Sequence, residues 1–431
     1  VSGLHGTSDK LNIQGNVLAG TVNTVNVNLL DDPTTATTLI PLITISGTSA
    51  AGSFVLGNVV QNKSFLDVLV STPGVYSLSI TAPKTGASSS TLPTQTTSSV
   101  SGTVQATSFA ARPAGLGFQE NVAGLSDLGT LAASAAPGAQ NLMDAQIGTL
   151  EARMGAVSQP IKGGFSLWTR AFANSGTVDP GHSAGNFGQN GNFAFDQRNS
   201  GEEVGLDFAI SDEFKAGALF GKAQANQSLD GAAGDSGRIT GHTSGVYGTW
   251  ISPTGFYLDA SYRWMSFNDH LRTAGGQAWI RGNADAFNLE TGKSWTLQNG
   301  LKIAPQFQYT LIKVDNVNSL QGTLAGFQSN GDKASRARLG AMLSKDYTSS
   351  GGTVWMPYVS LSAVHEFDGK TSYSVNNNFF GYTDTKGTSA LAETGINVQV
   401  GKLALYGGVN WQDGGALKSF FGGQAGLRYS W

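Results

Sequence analysis

Few residues of this chain have the types and the spacing that catalysis requires. Gly234-Asp235-Ser236-Gly237 superficially resembles the nucleophile segment of serine proteases, but no Ser–His–Asp framework accompanies it. Glu203 and Asp207 would share one strand face about 13 Å apart, too far for a catalytic carboxylate pair. We therefore predict no catalytic residue, no metal site and no cofactor. The histidines, which lack paired metal-ligand spacing, are His5, His182, His242, His270 and His365.

The composition narrows the class of protein. The 431 residues include 26 Lys+Arg, 29 Asp+Glu and no Cys, for a formal charge of -3. This balance argues against a nucleic-acid partner, which needs a concentrated positive field, and the lack of Cys excludes a disulfide scaffold. No apolar run approaches 18 residues, so no transmembrane helix is expected. Residues 1–5 lack signal-peptide features, and we expect this N-terminus to be a cut end.

The aromatic residues divide the chain into two parts. All eight Trp lie at Trp168 or later, and Tyr76 is the only one of the eleven Tyr that precedes it. Amphipathic rings are favoured at the two lipid–water interfaces of a membrane. The distribution predicts two different environments, with a boundary near residue 163.

The first part is predicted to be rich in short strands. Residues 1–100 contain alternating segments such as Val25–Leu29 and Tyr76–Ile80, separated by Gly, Asn, Ser and Thr. This pattern suits a stack of β-helix rungs or a small sandwich. Residues 84–140 are rich in Ser, Thr, Ala, Gly and Pro, a composition that predicts an extended linker.

One helix is predicted between Pro137 and Pro160, over about residues 139–158. Apolar residues recur there at helical spacing, and such a helix would be about 30 Å long, which matches the core of a bilayer. Its charged side chains would be costly against lipid, so it needs a polar tunnel or solvent. From this segment alone, a surface helix on a soluble domain is the simpler interpretation. The polar residues are Asn141, Asp144, Gln146, Glu151 and Arg153.

From Gly163 onward, segments of about ten residues alternate apolar with polar or small side chains. Short connections such as 298–300 alternate with long polar loops such as 317–333 and 368–387. An even number of strands joined in this way is typical of an outer-membrane β-barrel with periplasmic short turns. The twelve predicted strands are 163–174, 196–210, 214–228, 238–251, 255–269, 281–297, 301–316, 334–348, 352–367, 388–400, 402–412 and 418–431.

Tryptophans near the strand ends predict two interfacial belts. One belt lies toward the short turns and the other toward the long loops. The first contains Trp250, Trp295, Trp355 and Trp431, and the second contains Trp264 and Trp411.

The last segment, Gln424–Trp431, resembles the C-terminal β-signal of bacterial outer-membrane proteins through Gly426, Tyr429 and Trp431. With the preceding helix and the β-rich N-terminal part, the layout resembles the monomeric autotransporters of type Va secretion. Further matches are Trp168-Thr169-Arg170, Met356-Pro357-Tyr358-Val359 and residues 8–56, which are similar to the end of a pertactin-type passenger. The resemblance spans nearly the whole chain.

This resemblance implies an all-β membrane protein: a 12-stranded antiparallel outer-membrane barrel with a single α-helix in its lumen, preceded by a small β-helix-like passenger remnant. Residues 1–100 would be the passenger segment, 101–162 the linker and pore-spanning helix, and 163–431 the barrel. The passenger would cross through the barrel to the cell surface and stay tethered by the helix. The barrel C-terminus would be periplasmic.

The resemblance also implies the partners and the lining of the lumen. We expect contacts with outer-membrane lipid and lipopolysaccharide and, during biogenesis, with the β-barrel assembly machinery and periplasmic chaperones. The protein would be a monomer, and any host ligand of the passenger is unidentified. Inward polar side chains would solvate the helix; they are Arg170, Glu203, Asp207, Asp259, Arg263, Glu290, Arg338, Glu393 and Arg428.

Two alternatives stay open on the sequence. Some autotransporters cut their linker at an Asn-Asn pair, but Asn141-Leu142 departs from that pair, so we expect Asn141 simply to begin the helix. The second alternative is an outer-membrane pore or surface adhesin barrel without a translocation role. The helix before the first strand favours the translocator, because a pore gains nothing from a plug.

Overall fold

The fold is taken from a computed structural model. The described residues are 1–18, 20–30, 38–50, 52–57, 60–62, 65–80, 122–155, 164–183, 193–229, 234–273, 276–315, 317–322, 327–329, 332–375 and 379–431.

The N-terminal unit is a small β-structure that mixes parallel and antiparallel pairs. β1 pairs with β3 in parallel, as β2 does with β4, so strands about 31 residues apart in the chain stack on one another. β3, β7 and β6 continue as antiparallel neighbours, and β8 pairs with β6. The strands are β1 (Leu11–Ile13), β2 (Asn23–Val25), β3 (Thr38–Ile45), β4 (Phe54–Leu56), β5 (Gln61–Asn62), β6 (Phe65–Thr72), β7 (Val75–Ile80) and β8 (Val122–Leu125).

This unit has its own apolar core. Ile40, Leu78 and Ile80 are fully buried between the strands. The Tyr76 ring packs edge-on against Phe54 at 5.1 Å, and its hydroxyl donates to the carbonyl of Ala50. Its core is therefore separate from that of the barrel.

The second part is a closed antiparallel barrel of twelve strands, which confirms the predicted fold class. Each strand pairs with the next, and β20 pairs with β9 from Leu417 to Ser430, which closes the cylinder. The strands are β9 (Gly164–Val178), β10 (Phe195–Ala209), β11 (Phe214–Leu229), β12 (Ser236–Ile251), β13 (Phe256–Thr273), β14 (Gly276–Lys293), β15 (Leu301–Val314), β16 (Asp332–Lys345), β17 (Val354–Asp368), β18 (Gly387–Val400), β19 (Leu403–Gly414) and β20 (Leu417–Ser430).

The short connections are tight turns at one end of the cylinder. Gly255, Gly300, Gly352 and Gly401 have positive φ there, which glycine adopts without strain. At the opposite end the strands continue beyond the barrel, and the prediction of plain polar loops over 317–333 and 368–387 is wrong for the described residues. Short paired strands occupy Val317–Gly322, Phe327–Ser329, Lys370–Val375 and Phe379–Asp384.

The outer wall carries a broad apolar band. On β10, Val204, Leu206 and Phe208 are each close to half exposed, whereas Glu203 and Asp207, which alternate with them, are buried in the lumen. Large apolar patches on a monomer mark contact with another phase or partner, and the band is of the kind that faces lipid in outer-membrane barrels. Among the described residues, no helix has the length and apolarity needed to cross a bilayer.

The two faces of several strands exchange character part-way along the barrel. On β13 the outward residues are apolar as far as Trp264, and the inward ones are polar as far as Arg263. Beyond that level Met265 and Phe267 point inward, and the outward positions are polar. The half of the wall nearer the long loops is therefore polar outside and apolar inside.

The chain enters the cylinder as a helix that is longer than the sequence pattern predicts. α1 spans Asp127–Ile147 with Ser126 as N-cap, and α2 spans Leu150–Met154. The predicted start near residue 139 is wrong, and so is the linker interpretation for 127–140; the rest of that linker, through residue 121, lies outside the described residues. Alanine favours helix, and burial on all sides removes the amphipathic pattern that marks a surface helix.

Candidate functional site

The lumen is filled by the two helices, which cross it from the long-loop end to the short-turn end. The first turns of α1 belong to an apolar cluster that includes Phe327 and Val375 from the strands beyond the barrel. α2 lies at the other end, where the Tyr406 hydroxyl donates to the Arg153 carbonyl at 2.9 Å. α1 alone is about 30 Å long at 1.5 Å per residue, enough to cross a bilayer core.

The half of the lumen near the long loops is an apolar core. Leu128, Leu131 and Leu142 of α1 are fully buried against wall side chains such as Ile239 and Leu271. Pro137 lies inside this helix and removes one backbone donor. The expectation of a polar lumen is therefore wrong for most of this half, because apolar side chains predominate against the helix there and polar ones such as Gln197 and Asn199 are fewer.

The half near the short turns is ionic and is built around the end of α1. Arg170 of β9 donates to the carbonyl oxygens of Ala145 and Gln146 at 3.0 and 2.8 Å. α1 has no basic residue in its last turn, so a wall arginine supplies the positive charge that a helix C-terminus favours. Its Nε lies 3.5 Å from Glu203, which also pairs with Arg263.

The break between the helices depends on Gly148. Its φ is +56°, and a Cβ at this position would lie 2.9 Å from an Arg170 guanidinium nitrogen. The Gly148 carbonyl accepts a hydrogen bond from the Gln308 amide at 2.8 Å. A glycine therefore ends α1 where the arginine needs space.

A second group of ionic side chains holds the start of α2. Glu290 accepts a hydrogen bond from the Leu150 backbone N–H at 2.9 Å and another from the Tyr257 hydroxyl. Arg338 lies 3.3 Å from Glu290 and 3.7 Å from Glu393. The carboxylate of Glu290 is thus both paired and hydrogen-bonded, as a buried charge requires.

The remaining predicted wall charges anchor α2 and close the barrel. Asp259 pairs with Arg153 of α2, whose guanidinium lies 4.2 Å from the centre of the Tyr247 ring. Arg428 on β20 reaches Asp207 on β10 at 2.5 Å, across β9, which lies between these two strands. The lumen therefore brings together all of the polar wall residues that the sequence singled out.

The polar helix residues that the sequence singled out each have a wall partner. Asn141 accepts a hydrogen bond from Asn199 at 2.7 Å, and Gln146 accepts one from Thr243 at 2.6 Å. The other partners are Arg336 for Asp144 and Asn397 for Glu151. Asn141 lies in the middle of α1, so the expectation that it begins the helix is wrong.

Several residues of the site escaped the sequence analysis. Arg336, Gln308 and Tyr247 were not singled out, although all three lie on inward strand positions. One pattern in the sequence could have revealed lumen aromatic residues: an inward-facing aromatic residue lies beside a glycine on the neighbouring strand. A Cβ at Gly205 would overlap the Trp168 ring, and one at Gly426 would overlap Tyr406.

The ionic half contains a cavity of about 100 Å³ between the helices and the wall, lined by residues that include Asp144, Gly148 and Gln308. This volume holds a few water molecules and no folded element.

The predicted β-signal residues lie at the barrel seam. Tyr429 and Trp431 are about half exposed on the outer face, and their rings are 6.0 Å apart. Gly426 faces inward beside Tyr406. Trp431 donates its backbone N–H to Phe165 of β9 at 3.1 Å.

Of the sequence features considered for chemistry, Glu203 and Asp207 lie in the lumen as ion-pair partners. Gly234 forms a turn with positive φ, and Ser236 begins β12. Among the described residues, no group of three His, Cys, Asp or Glu side chains is placed to hold a metal ion. His270 lies on the outer wall, and the side chain of His182 lies outside the described part.

The comparisons with known proteins agree on one family. The model of the autotransporter β-domain matches residues 167–410. The pertactin autotransporter of Bordetella parapertussis is 28% identical over 304 residues, which cover 68% of this chain and 31% of the relative. BrkA of Bordetella pertussis is 26% identical over 67% of this chain and 28% of its own length. The chain thus matches about a third of each relative.

One solved structure supports the fold. The translocator domain of the autotransporter NalP from Neisseria meningitidis aligns with a TM-score of 0.50 at 14% identity, over 70% of this chain and 98% of that structure. At this identity the likeness bears on the architecture alone.

Proposed function

Because this chain belongs to the autotransporter β-domain family, we propose that it carries its own N-terminal segment to the bacterial cell surface and holds it there by the lumenal helix. The domain is an outer-membrane translocator. The observation that supports the tether is the path of α1 and α2 through a closed barrel. The N-terminal unit precedes the helix at the long-loop end, and Gly164 begins the barrel at the short-turn end.

The N-terminal unit would be the end of a passenger. Its parallel pairs about 31 residues apart favour stacked rungs, and its core gives it a fold that a lumen already occupied by one helix could not readmit. Folding outside would therefore oppose backsliding.

We propose that the unit works with the partners of other outer-membrane barrels. The apolar band would contact outer-membrane lipid and lipopolysaccharide. The β-barrel assembly machinery and periplasmic chaperones would act before insertion, with the β20 seam as the closing strand. The barrel would be a monomer, because the helix of one chain fills the lumen formed by that same chain.

Surface labelling tests the proposed function. The chain contains no Cys, so a single introduced thiol reports one position. Leu18→Cys, 77% exposed in the N-terminal unit, should react with a membrane-impermeant maleimide on intact cells. Ser350→Cys, in a short turn, should react only after the outer membrane is opened. Labelling of both sites, or of neither, on intact cells would contradict the orientation.

We also propose that the domain itself is not an enzyme and that the chain stays uncut at Asn141. The side-chain oxygen of Asn141 accepts a hydrogen bond from Asn199, and the residue lies within a regular helix rather than at its start. Wild type and Asn141→Ala should run as single bands of the same size on a denaturing gel. A smaller wild-type band that disappears in the variant would show that the linker is cleaved.

A further inference from the structure

The outer wall of β10 to β14 stays polar well above the apolar band. On β13, Trp264 is followed on the outward face by Ser266, Asn268, His270 and Arg272. His270 lies six residues beyond Trp264, which is about 20 Å along the strand, or about 15 Å along the barrel axis at a tilt near 40°. This wall therefore stands above the hydrocarbon, on the headgroup side of the apolar band.

Three arginines surround His270 on this wall. Arg238 of β12 is the register partner of His270, and Arg272 lies two residues farther along β13. Arg281 of β14 is the register partner of Asn268, one diagonal step from His270. Neighbours of these kinds have Cβ atoms about 5 to 8 Å apart. We call Arg238, Arg272 and Arg281 the arginine cluster.

The arginine cluster differs from the arginines of the lumen. In the part of the chain that the structure describes, each lumen arginine has a carboxylate partner, whereas none of the cluster arginines forms an ion pair. All three are exposed, and Arg238 donates to the side-chain oxygen of Asn226 at 3.0 Å. Like charges on adjacent strands repel, so the cluster fits a bound anion.

An aromatic pair completes the surface. The His270 ring stacks on the exposed Trp279 with centroids 4.8 Å apart and planes 8° apart. Trp is favoured where lipid headgroups meet water. The cluster and this pair together form one patch at the long-loop end.

We propose that the arginine cluster binds the phosphate groups of lipopolysaccharide in the outer leaflet. The proposal rests on the proposed function, which places the long-loop end outside the cell. Guanidinium groups bind phosphate oxygens with two parallel hydrogen bonds. Phospholipid headgroups of the inner leaflet lie at the short-turn end and cannot reach the cluster.

Binding of labelled lipopolysaccharide to the purified full chain in mild detergent tests this site. The variant replaces Arg238, Arg272 and Arg281 with Gln. The charge-matched control replaces Lys370, Lys386 and Lys418 with Gln, three exposed cations at the same end and outside β12 to β14. We expect about tenfold weaker binding for the cluster variant, which is about 1.4 kcal/mol, and little change for the control.

A wild-type arm keeps the test decisive if the cluster variant does not fold. Enzymatically dephosphorylated lipopolysaccharide should bind wild type about as weakly as intact lipopolysaccharide binds the cluster variant. Equal affinity for the two lipid forms, or equal losses in both variants, would overturn the proposal, as would full competition by inorganic phosphate alone. Failed surface labelling would contradict export but would leave this binding result intact.

Discussion

At the scale of single residues, the wall charges act as caps for the lumenal helices. Arg170 serves the last carbonyls of α1, and Glu290 serves the first N–H of α2. A helix terminus leaves several backbone groups without partners, and few waters fit here. The buried ions are therefore placed where the helices need them.

Replacing Arg170 with Gln should destabilise the barrel. The change leaves Glu203 with one fewer partner and the end of α1 without its cation, and loss of one member of a buried ion pair costs about 3 to 5 kcal/mol. The temperature at which the folded form disappears on a semi-native gel should fall. Arg198→Gln, on an exposed position of β10, is the matched control and should have little effect. If the Arg170 variant loses its folded form at the same temperature as wild type, the capping role is contradicted.

The sequence predicted which residues would be in the lumen but not their partners. Alternation alone places Glu203 and Asp207 inside, because neighbouring side chains in a strand face opposite sides. Their pairing with Arg263 and Arg428 depends on how strands 60 and 221 residues away are aligned. That alignment depends on contacts far apart in the chain, which local pattern does not contain.

At the scale of elements, α1 shows why a lumenal helix is difficult to find in a sequence. Most of its residues are buried, so it has no polar stripe, and its Ala-rich first half resembles a flexible linker. The pattern that was detected, Leu142 to Met154, spans the end of α1 and all of α2 and ignores the break at Gly148. The strands were predicted well because each has one face against lipid.

Conductance through a planar bilayer should depend on the helices. The intact chain should conduct weakly, because α1 fills the lumen and leaves a cavity of about 100 Å³. Removal of residues 127–154 should raise the single-channel conductance several-fold. A chain that deletes only residues 1–80, with the helices kept, is the control and should conduct like the intact protein. High conductance of the intact chain would favour the alternative of a solute pore.

At the scale of the whole molecule, the cylinder combines two kinds of barrel. The short-turn half has an apolar outside and an ionic lumen, as a membrane barrel does, and the long-loop half has a polar outside and an apolar core. The change on β13 falls between Trp264 and Met265, and it could have been read from the sequence as a shift of apolar residues from even to odd positions. The twelve strands were counted correctly because the alternation continues through this change.

The central claim is that α1 lies inside the closed barrel, and a thiol crosslink tests it most directly. Asn141 of α1 and Asn199 of β10 are hydrogen-bonded side chain to side chain, whereas Ser200 points to the outer face of the same strand. In cells, a short bifunctional thiol crosslinker should join Asn141→Cys to Asn199→Cys, which changes the mobility of the denatured chain on a gel. Asn141→Cys with Ser200→Cys should stay unjoined. Crosslinking of the Ser200 pair, with the Asn199 pair left unjoined, would place the helix outside the barrel and contradict the account.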